Sequence, residues 1–166
     1  SNADGAGDIQ EVSSINSCSG RENNSLWLRI EIQNGGSLGF DLKPTSTAFE
    51  VDYDFFIFGP NSDCSDLEST IRCSTTNPLQ AGLSNNFTGM NDEETDLFEG
   101  PGPDGNSYVK SLDFKKGEIY YIVIDRPIGN SPFELEWTGR ATENGNPFAE
   151  GPVVTPPDDL FICNSN

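Results

Sequence analysis

Alternation of apolar and polar residues predicts several short β-strands along this chain. Residues 26–32 (LWLRIEI) place an apolar side chain at every second position, and residues 37–43 (SLGFDLK) repeat the pattern. The Asn-Gly-Gly sequence at 34–36 lies between them, so the two segments are predicted to form a β-hairpin. Pro44 ends the second strand, because proline cannot donate to a sheet ladder.

The remaining strong segments extend this β pattern. Residues 52–58 (DYDFFIF) are apolar on both faces, which predicts a central strand that is covered from both sides. Residues 118–125 (EIYYIVID) form the strongest strand pattern, residues 107–114 and 133–138 alternate, and a short strand is expected near 70–73. About seven or eight short strands without a convincing helix favour an all-β fold, a two-sheet antiparallel β-sandwich of the jelly-roll or CUB-like kind.

Composition and chain organisation agree with one β-domain between two tails. The 17 glycines and 11 prolines suit short strands joined by many turns. Residues 1–17 are predicted to be a tag-removal scar followed by a linker, residues 18–148 the β-sandwich domain, and residues 149–166 a linker and the start of a following immunoglobulin-like module. The polar stretch 75–106 is expected to be one long loop.

The charge balance excludes whole classes of partner. Nine basic residues against 27 acidic ones give a formal net charge of −18, which repels nucleic acid and anionic membranes. The chain has no histidine and no apolar run of about 18 residues, so neither a histidine base nor membrane insertion is expected. We therefore predict a protein that is not an enzyme.

Four cysteines point to an oxidising compartment. Cys64 and Cys73 are separated by eight residues, which favours a disulfide that closes a short loop. A zinc site is the alternative, but this spacing without histidine suits zinc poorly. Cys18 and Cys163 lie in the flanks, where they either pair with each other or leave Cys163 for a partner in the next module.

Carboxylates on the predicted strands are candidate calcium ligands. Asp52 and Asp54 lie two residues apart on one strand and therefore face the same side. Asp125 ends the strong strand 118–125 and would complete a site of oxygen ligands, with Asp113 as a further donor. The alternative is that these aspartates accept hydrogen bonds from turn amides. Residues 91–96 (NDEETD) lack EF-hand spacing, which indicates a solvated acidic loop.

Aromatic residues offer a second kind of candidate site. They would form a sugar-stacking platform if several shared one exposed face, and they would be packing residues if they did not. The residues in question are Trp27, Tyr53, Tyr108, Tyr120, Tyr121 and Trp137.

Several motifs follow one another in a familiar order between residues 18 and 142. They are NSLW at 24–27, GSLGFDLKP at 36–44, DYDF at 52–55, Cys64 with IRCS at 71–74, KGEIYYIVID at 116–125 and PFELEWTG at 132–139. This succession resembles the CUB-like or jelly-roll modules of very large secreted surface proteins of gliding, Bacteroidetes-type bacteria. Such proteins carry immunoglobulin-like modules and a type IX secretion sorting domain. The resemblance implies a β-sandwich, export to the cell surface and an adhesin-like role.

These observations favour a non-catalytic extracellular adhesion or binding module of a bacterial surface protein. Its expected partner is a glycan, a protein or a surface, with calcium as a candidate cofactor and no other, and a monomeric state for the isolated domain. The alternative is an accessory, substrate-targeting domain of a secreted protease or glycoside hydrolase. A structural spacer is the third hypothesis.

Overall fold

A computed structural model describes residues 10–12, 17–63, 67–149 and 153–154. Within these ranges the chain forms short strands and a single 3-10 turn, so the predicted all-β class is confirmed. The strands are β1 (Leu26–Glu31), β2 (Gly36–Pro44), β3 (Asp52–Phe58), β4 (Arg72–Ser74), β5 (Thr88–Asn91), β6 (Phe98–Glu99), β7 (Tyr108–Lys110), β8 (Leu112–Phe114), β9 (Ile119–Ile128), β10 (Phe133–Thr138) and β11 (Val153–Val154), with the 3-10 turn at Arg140–Thr142. The described residues include no helix long and apolar enough to cross a membrane.

Two sheets pack face to face as a sandwich. The six-stranded sheet has the order β11-β1-β9-β3-β4-β6, and the five-stranded sheet has the order β10-β2-β5-β7 with β8 also paired to β2. Neighbouring strands are antiparallel except for β4 with β6 and β5 with β7, which run parallel. The sandwich is confirmed. The described residues form more strands than the predicted seven or eight, because the strands from β4 to β8 are only two to four residues long and add to the count.

The core lies between the sheets and is built by the alternation seen in the sequence. β3 is buried along its whole length, as the two-sided apolar pattern predicted, and lies between β9 and β4. Phe40 of β2 meets Phe55 of β3 edge to face, with ring centroids 5.0 Å apart, and so joins the two sheets. Fully burying one such side chain stabilises the fold by about 1.5–3 kcal/mol.

The predicted hairpin of residues 26–32 and 37–43 is wrong. β1 pairs with β9 and β11, whereas β2 pairs with β10, β5 and β8 in the other sheet. The glycine-containing turn at 34–36 carries the chain from one sheet to the other. Both strands direct their alternate apolar side chains into the same core. Two strands that pair in one sheet and two strands that face each other across the core show the same alternation, so the pattern does not distinguish them.

The polar stretch 75–106 is also more structured than its composition predicts. It contains β5, whose Met90 lies in the core, and the edge strand β6. β5 is held by three residues of pairing with β2 and three with β7. Tertiary pairing therefore overrides the weak strand propensity of its Thr-Gly-Met-Asn sequence.

The outer face of the six-stranded sheet is covered by an N-terminal strap, defined here as residues 10–12 and 17–25. Val12 and Cys18 are fully buried in a second hydrophobic cluster with Phe56, Phe58, Cys73, Tyr121 and Val123, which we call the outer cluster. Gly20 packs so closely that an added Cβ would lie 2.4 Å from the Phe56 ring. Residues 10–12 belong to the predicted N-terminal linker, but they pack as part of the sandwich.

The disulfide joins Cys18 to Cys73 and not Cys64 to Cys73. The two Cα atoms are 6.1 Å apart, and the bond closes a separation of 55 residues. The strap places Cys18 against β4 on the outer face, a contact that residue spacing alone does not reveal. Pairing of Cys18 with Cys163 is excluded by the same bond, while Cys64 and Cys163 themselves lie outside the described residues.

The C-terminal flank also contributes to the six-stranded sheet. Val153 and Val154 form β11 and pair with Arg29 and Leu28 of β1. The predicted boundaries at residues 17 and 149, and the predicted immunoglobulin-like module after them, stay predictions.

Candidate functional site

Three buried aspartates lie where β3 and β9 pair. Asp54 is directly opposite Asp125, and a register shift separates this pair from Asp52. Alternation places the three side chains on the outer face of the six-stranded sheet, the face that carries Phe56 and Val123. All three are buried, with exposed fractions of 4% for Asp52, 6% for Asp54 and 0% for Asp125. The fold therefore brings the predicted ligand residues together.

Asp125 holds the strap in place. Its carboxylate accepts hydrogen bonds from the Asn23 backbone N–H at 2.6 Å, the Asn23 Nδ2 at 3.1 Å, the Asn24 N–H at 3.1 Å and the Ser25 Oγ at 2.7 Å. Four donors match what two carboxylate oxygens can accept. This geometry corresponds to the alternative interpretation of these aspartates, in which a carboxylate satisfies turn amides.

The other two carboxylates are less well satisfied. Asp52 Oδ2 accepts a hydrogen bond from Asn77 Nδ2 at 2.9 Å, whereas the buried Asp54 Oδ1 has no hydrogen-bond partner. Burial raises the pKa of Asp52 to about 6, and burial together with repulsion from Asp52 and Asp125 raises the pKa of Asp54 well above its usual range. None of the ion pairs found among the described residues involves these aspartates.

The carboxylates do not form a ready-made metal centre. In the described part of the chain, no group of three or more Asp, Glu, His or Cys side chains is arranged to hold a metal ion. The Asp125 carboxylate already accepts hydrogen bonds from the strap, and Asp52 Oδ2 accepts one from Asn77 Nδ2. Asp113 lies elsewhere, on β8, where it pairs with Arg140 at 3.3 Å. The calcium site therefore stays a prediction, with Asp54 Oδ1 as its open ligand atom.

The aromatic residues do not share one exposed face. Tyr53 and Tyr120 are buried in the core, and Trp137 packs against it. Tyr121 belongs to the outer cluster beneath the strap, and Trp27 packs against that cluster. Only Tyr108 of the six lies on the outer face of the five-stranded sheet, so the alternative that most of these aromatics are packing residues is the one that holds, and they form no sugar-stacking platform.

The acidic residues 91–96 form a turn, as the solvated-loop interpretation predicts. Asn91 Oδ1 accepts the backbone N–H groups of Glu93 and Glu94 at 2.9 and 3.0 Å. Asp92 accepts hydrogen bonds from the hydroxyls of Ser111 and Ser37, which lower the pKa of its carboxyl. These contacts fasten the loop to β2 and to the residue between β7 and β8.

The outer face of the five-stranded sheet carries an ordered polar cluster. Lys43 Nζ lies 3.1 Å from Asp41 Oδ2 and 2.8 Å from Glu136 Oε2. The Tyr108 hydroxyl donates to Asp41 Oδ1 at 3.1 Å, and its ring lies over Gly89. We call these four side chains, Asp41, Lys43, Tyr108 and Glu136, the open-face cluster. No strap covers this face among the described residues.

Sequence reasoning missed two polar residues that organise the sandwich. Asn86 is buried, and its Nδ2 donates to the carbonyls of Ser46, Ala48 and Val51 at 2.9 to 3.2 Å. Glu22 lies within the strap, where its carboxylate accepts the indole N–H of Trp27. Neither position carries a local signal, because asparagine and glutamate are ordinary in polar loops.

Comparison of the chain with protein-family models, with curated proteins and with solved structures finds no match to any of them.

Proposed function

We propose that this domain is a non-catalytic extracellular binding module of a large bacterial surface protein, and that its ligand contacts the outer face of the five-stranded sheet. One observation carries the proposal: the two outer faces of the sandwich differ. The strap and its disulfide cover one face, while the other remains open and presents the open-face cluster.

The compartment and the ligand class rest on the chemistry of these residues. A fully buried disulfide suits an oxidising, extracellular setting. Carboxylate, ammonium and phenol groups held in fixed positions, together with the ring of that Tyr108 phenol, are groups that recognise the hydroxyls of a glycan. We therefore propose a surface glycan as the ligand.

A glycan array with purified protein tests this assignment. We expect the wild-type domain to bind at least one glycan and Lys43→Ala to weaken binding by tenfold or more, which corresponds to about 1.4 kcal/mol. The matched control is Arg29→Ala, which removes the same charge from an exposed site on β1. Equal binding by both variants would place the ligand elsewhere, and no binding to any glycan would favour the structural spacer.

Calcium is proposed as the cofactor of the buried carboxylate face. Asp54 Oδ1 supports it, because an unpartnered buried oxygen gains a ligand when a cation binds. Through mass-action linkage, calcium at about 100 times its dissociation constant would stabilise the fold by about 2.7 kcal/mol. We expect millimolar calcium to raise the melting temperature more than magnesium does, and Asp54→Asn to remove the difference. Equal shifts with both cations would indicate screening of an acidic surface.

A further inference from the structure

One row of residues on the open face crosses four strands. Glu136, Asp41, Gly89 and Tyr108 are successive Cα partners from β10 through β2 and β5 to β7. Because neighbouring strands lie about 4.8 Å apart, the Cα atoms of Asp41 and Tyr108 are separated by about 10 Å, with Gly89 between them. The Tyr108 hydroxyl nevertheless donates to Asp41 Oδ1 at 3.1 Å. The tyrosine side chain therefore extends along the row, across the strand that carries Gly89.

Gly89 makes room for the Tyr108 ring. An added Cβ at this position would lie 3.1 Å from Tyr108 Cε1. Met90 points into the core, so alternation places Gly89 on the outer face, yet Gly89 is buried. Both observations show that the ring lies down over the β5 backbone and does not stand upright. Tyr108 itself is only partly buried, so the ring face that points away from the sheet contacts solvent.

Fixed polar groups border the phenol end of this ring. Lys43 Nζ lies 3.1 Å from Asp41 Oδ2 and 2.8 Å from Glu136 Oε2, which engages two of its three N–H donors and leaves one for a ligand. The side chains of Asp41 and Lys43 are 30% and 31% exposed and can be reached. Burial and the Asp41 charge raise the pKa of the Tyr108 phenol, which therefore stays protonated and keeps donating at neutral pH.

The charges on this face are of both signs. Asp41, Glu134 and Glu136 supply carboxylates, and Lys43 and Lys110 supply ammonium groups, since Glu134 and Lys110 share the outer face by alternation along their strands. An acidic sugar would meet the carboxylates and the net charge of −18, whereas the ammonium of an amino sugar would meet Lys43. A hydroxyl suits both kinds of group, because it donates to a carboxylate and accepts from an ammonium. The charge pattern therefore complements a neutral sugar.

We propose that the Tyr108 ring stacks against a neutral hexopyranose whose hydroxyls are all equatorial, as in a β-linked glucose chain. This inference rests on the proposed function and names the sugar class for the same site. The face of an aromatic ring carries partial negative charge and attracts the C–H groups that such a sugar presents on its flat sides. An axial hydroxyl would hold the sugar away from the ring. Tyr108 thus determines specificity, while Asp41, Lys43 and Glu136 bind the hydroxyls at the edge of the sugar.

Isothermal titration calorimetry with three hexasaccharides tests the sugar class. Cellohexaose and mannohexaose are both β-1,4-linked and differ in the 2-hydroxyl, which is equatorial in glucose and axial in mannose. We expect the wild type to bind cellohexaose at least about tenfold more tightly than mannohexaose or the glucosamine hexamer. Equal affinity for cellohexaose and either of the other two would overturn the assignment.

Variants of Tyr108 test the stacking itself. Tyr108→Ala should weaken cellohexaose binding by about tenfold or more, whereas Tyr108→Phe keeps the ring and should weaken it less. The matched control is Phe98→Ala, which removes an aromatic ring that is 39% exposed on β6 of the other sheet and should bind as the wild type does. Saturation-transfer NMR of the wild type needs no variant. Irradiation of the aromatic protons should reach the axial protons of one sugar face more strongly than those of the other.

The failure of this inference can be told apart from the failure of the proposed function. Wild-type affinity in Tyr108→Ala, or saturation spread evenly over both sugar faces, would overturn the stacking. If other glycans bind on the array and cellohexaose does not, the glucose assignment is wrong and the surface-glycan proposal stands. An array without any bound glycan would remove both.

Discussion

Removing the Cys18–Cys73 bond is the sharpest test of how the strap is held. The bond closes a loop of 55 residues, for which the chain-entropy relation gives about 4 kcal/mol of stabilisation at 25 °C. A bond between Cys64 and Cys73 would close a much shorter loop and contribute only about 2.5 kcal/mol by the same relation. The two connectivities therefore differ both in the sensitive residue and in the size of the effect.

Chemical denaturation of Cys18→Ala and Cys64→Ser measures this difference. We expect Cys18→Ala to lower the free energy of unfolding by about 4 kcal/mol and the melting temperature by roughly 10 °C. Alanine is the appropriate replacement at position 18, because a serine hydroxyl there would be buried. Cys64→Ser leaves the Cys18–Cys73 bond in place and should therefore keep the stabilisation of about 4 kcal/mol that this bond contributes. Adding reductant should bring the wild type to the level of Cys18→Ala.

The opposite pattern would refute the reasoning. A large loss in Cys64→Ser with little change in Cys18→Ala would show that Cys73 pairs with Cys64. Peptide mapping without reductant gives a direct control, since a fragment that joins Cys18 to Cys73 is expected.

Two further substitutions test a contact of β5 and the contacts of Asn86, which precedes it. Gly89→Ala would place a Cβ 2.0 Å from the Phe40 carbonyl oxygen, so we expect it to lower the free energy of unfolding by about 3 kcal/mol or more in urea denaturation. The control Gly102→Ala has open space around it and should change that free energy by less than about 0.5 kcal/mol. Asn86→Asp would direct a carboxylate at three backbone carbonyls and should lower the free energy of unfolding by at least about 3 kcal/mol, while Asn85→Asp keeps the acceptor for the Phe87 N–H and should be neutral. Equal stability within either pair would contradict the corresponding contact.

The strongest strands could be predicted because their pattern reflects burial. Residues 52–58 are apolar on both faces, and β3 has those same bounds and is covered on both sides. Residues 133–138 alternate, and β10 matches them. In both cases the environment of each side chain depends on which face of the strand it occupies, and the period of two records this in the sequence.

The pairing of strands could not be predicted in the same way. Residues 26–32 and 37–43 have the pattern of a hairpin, yet β1 and β2 lie in opposite sheets. A period of two shows which side chains point inward, but it does not show which strand supplies the backbone hydrogen bonds. The short strands β5 and β6 escaped prediction because they are stabilised by their neighbours and not by their own composition.

The candidate site was likewise predicted from the sequence only in part. That Asp52 and Asp54 share a face follows from their spacing along one strand. The register of β3 with β9 brings these residues together with Asp125. The donors that bind Asp125 come from the strap, about 100 residues distant in sequence, and Asp54 Oδ1 is left without a hydrogen-bond partner. None of this could be predicted from the spacing of the residues.

The sequence by itself therefore determined the all-β class, the faces of the main strands and the acidic character of the molecule. Only the tertiary structure decided that Cys18 bonds Cys73 and that one face of the sandwich is covered while the other is open. The physical reason is that burial is encoded locally by the type and spacing of residues. Contacts between segments distant in the chain depend on how the whole core packs.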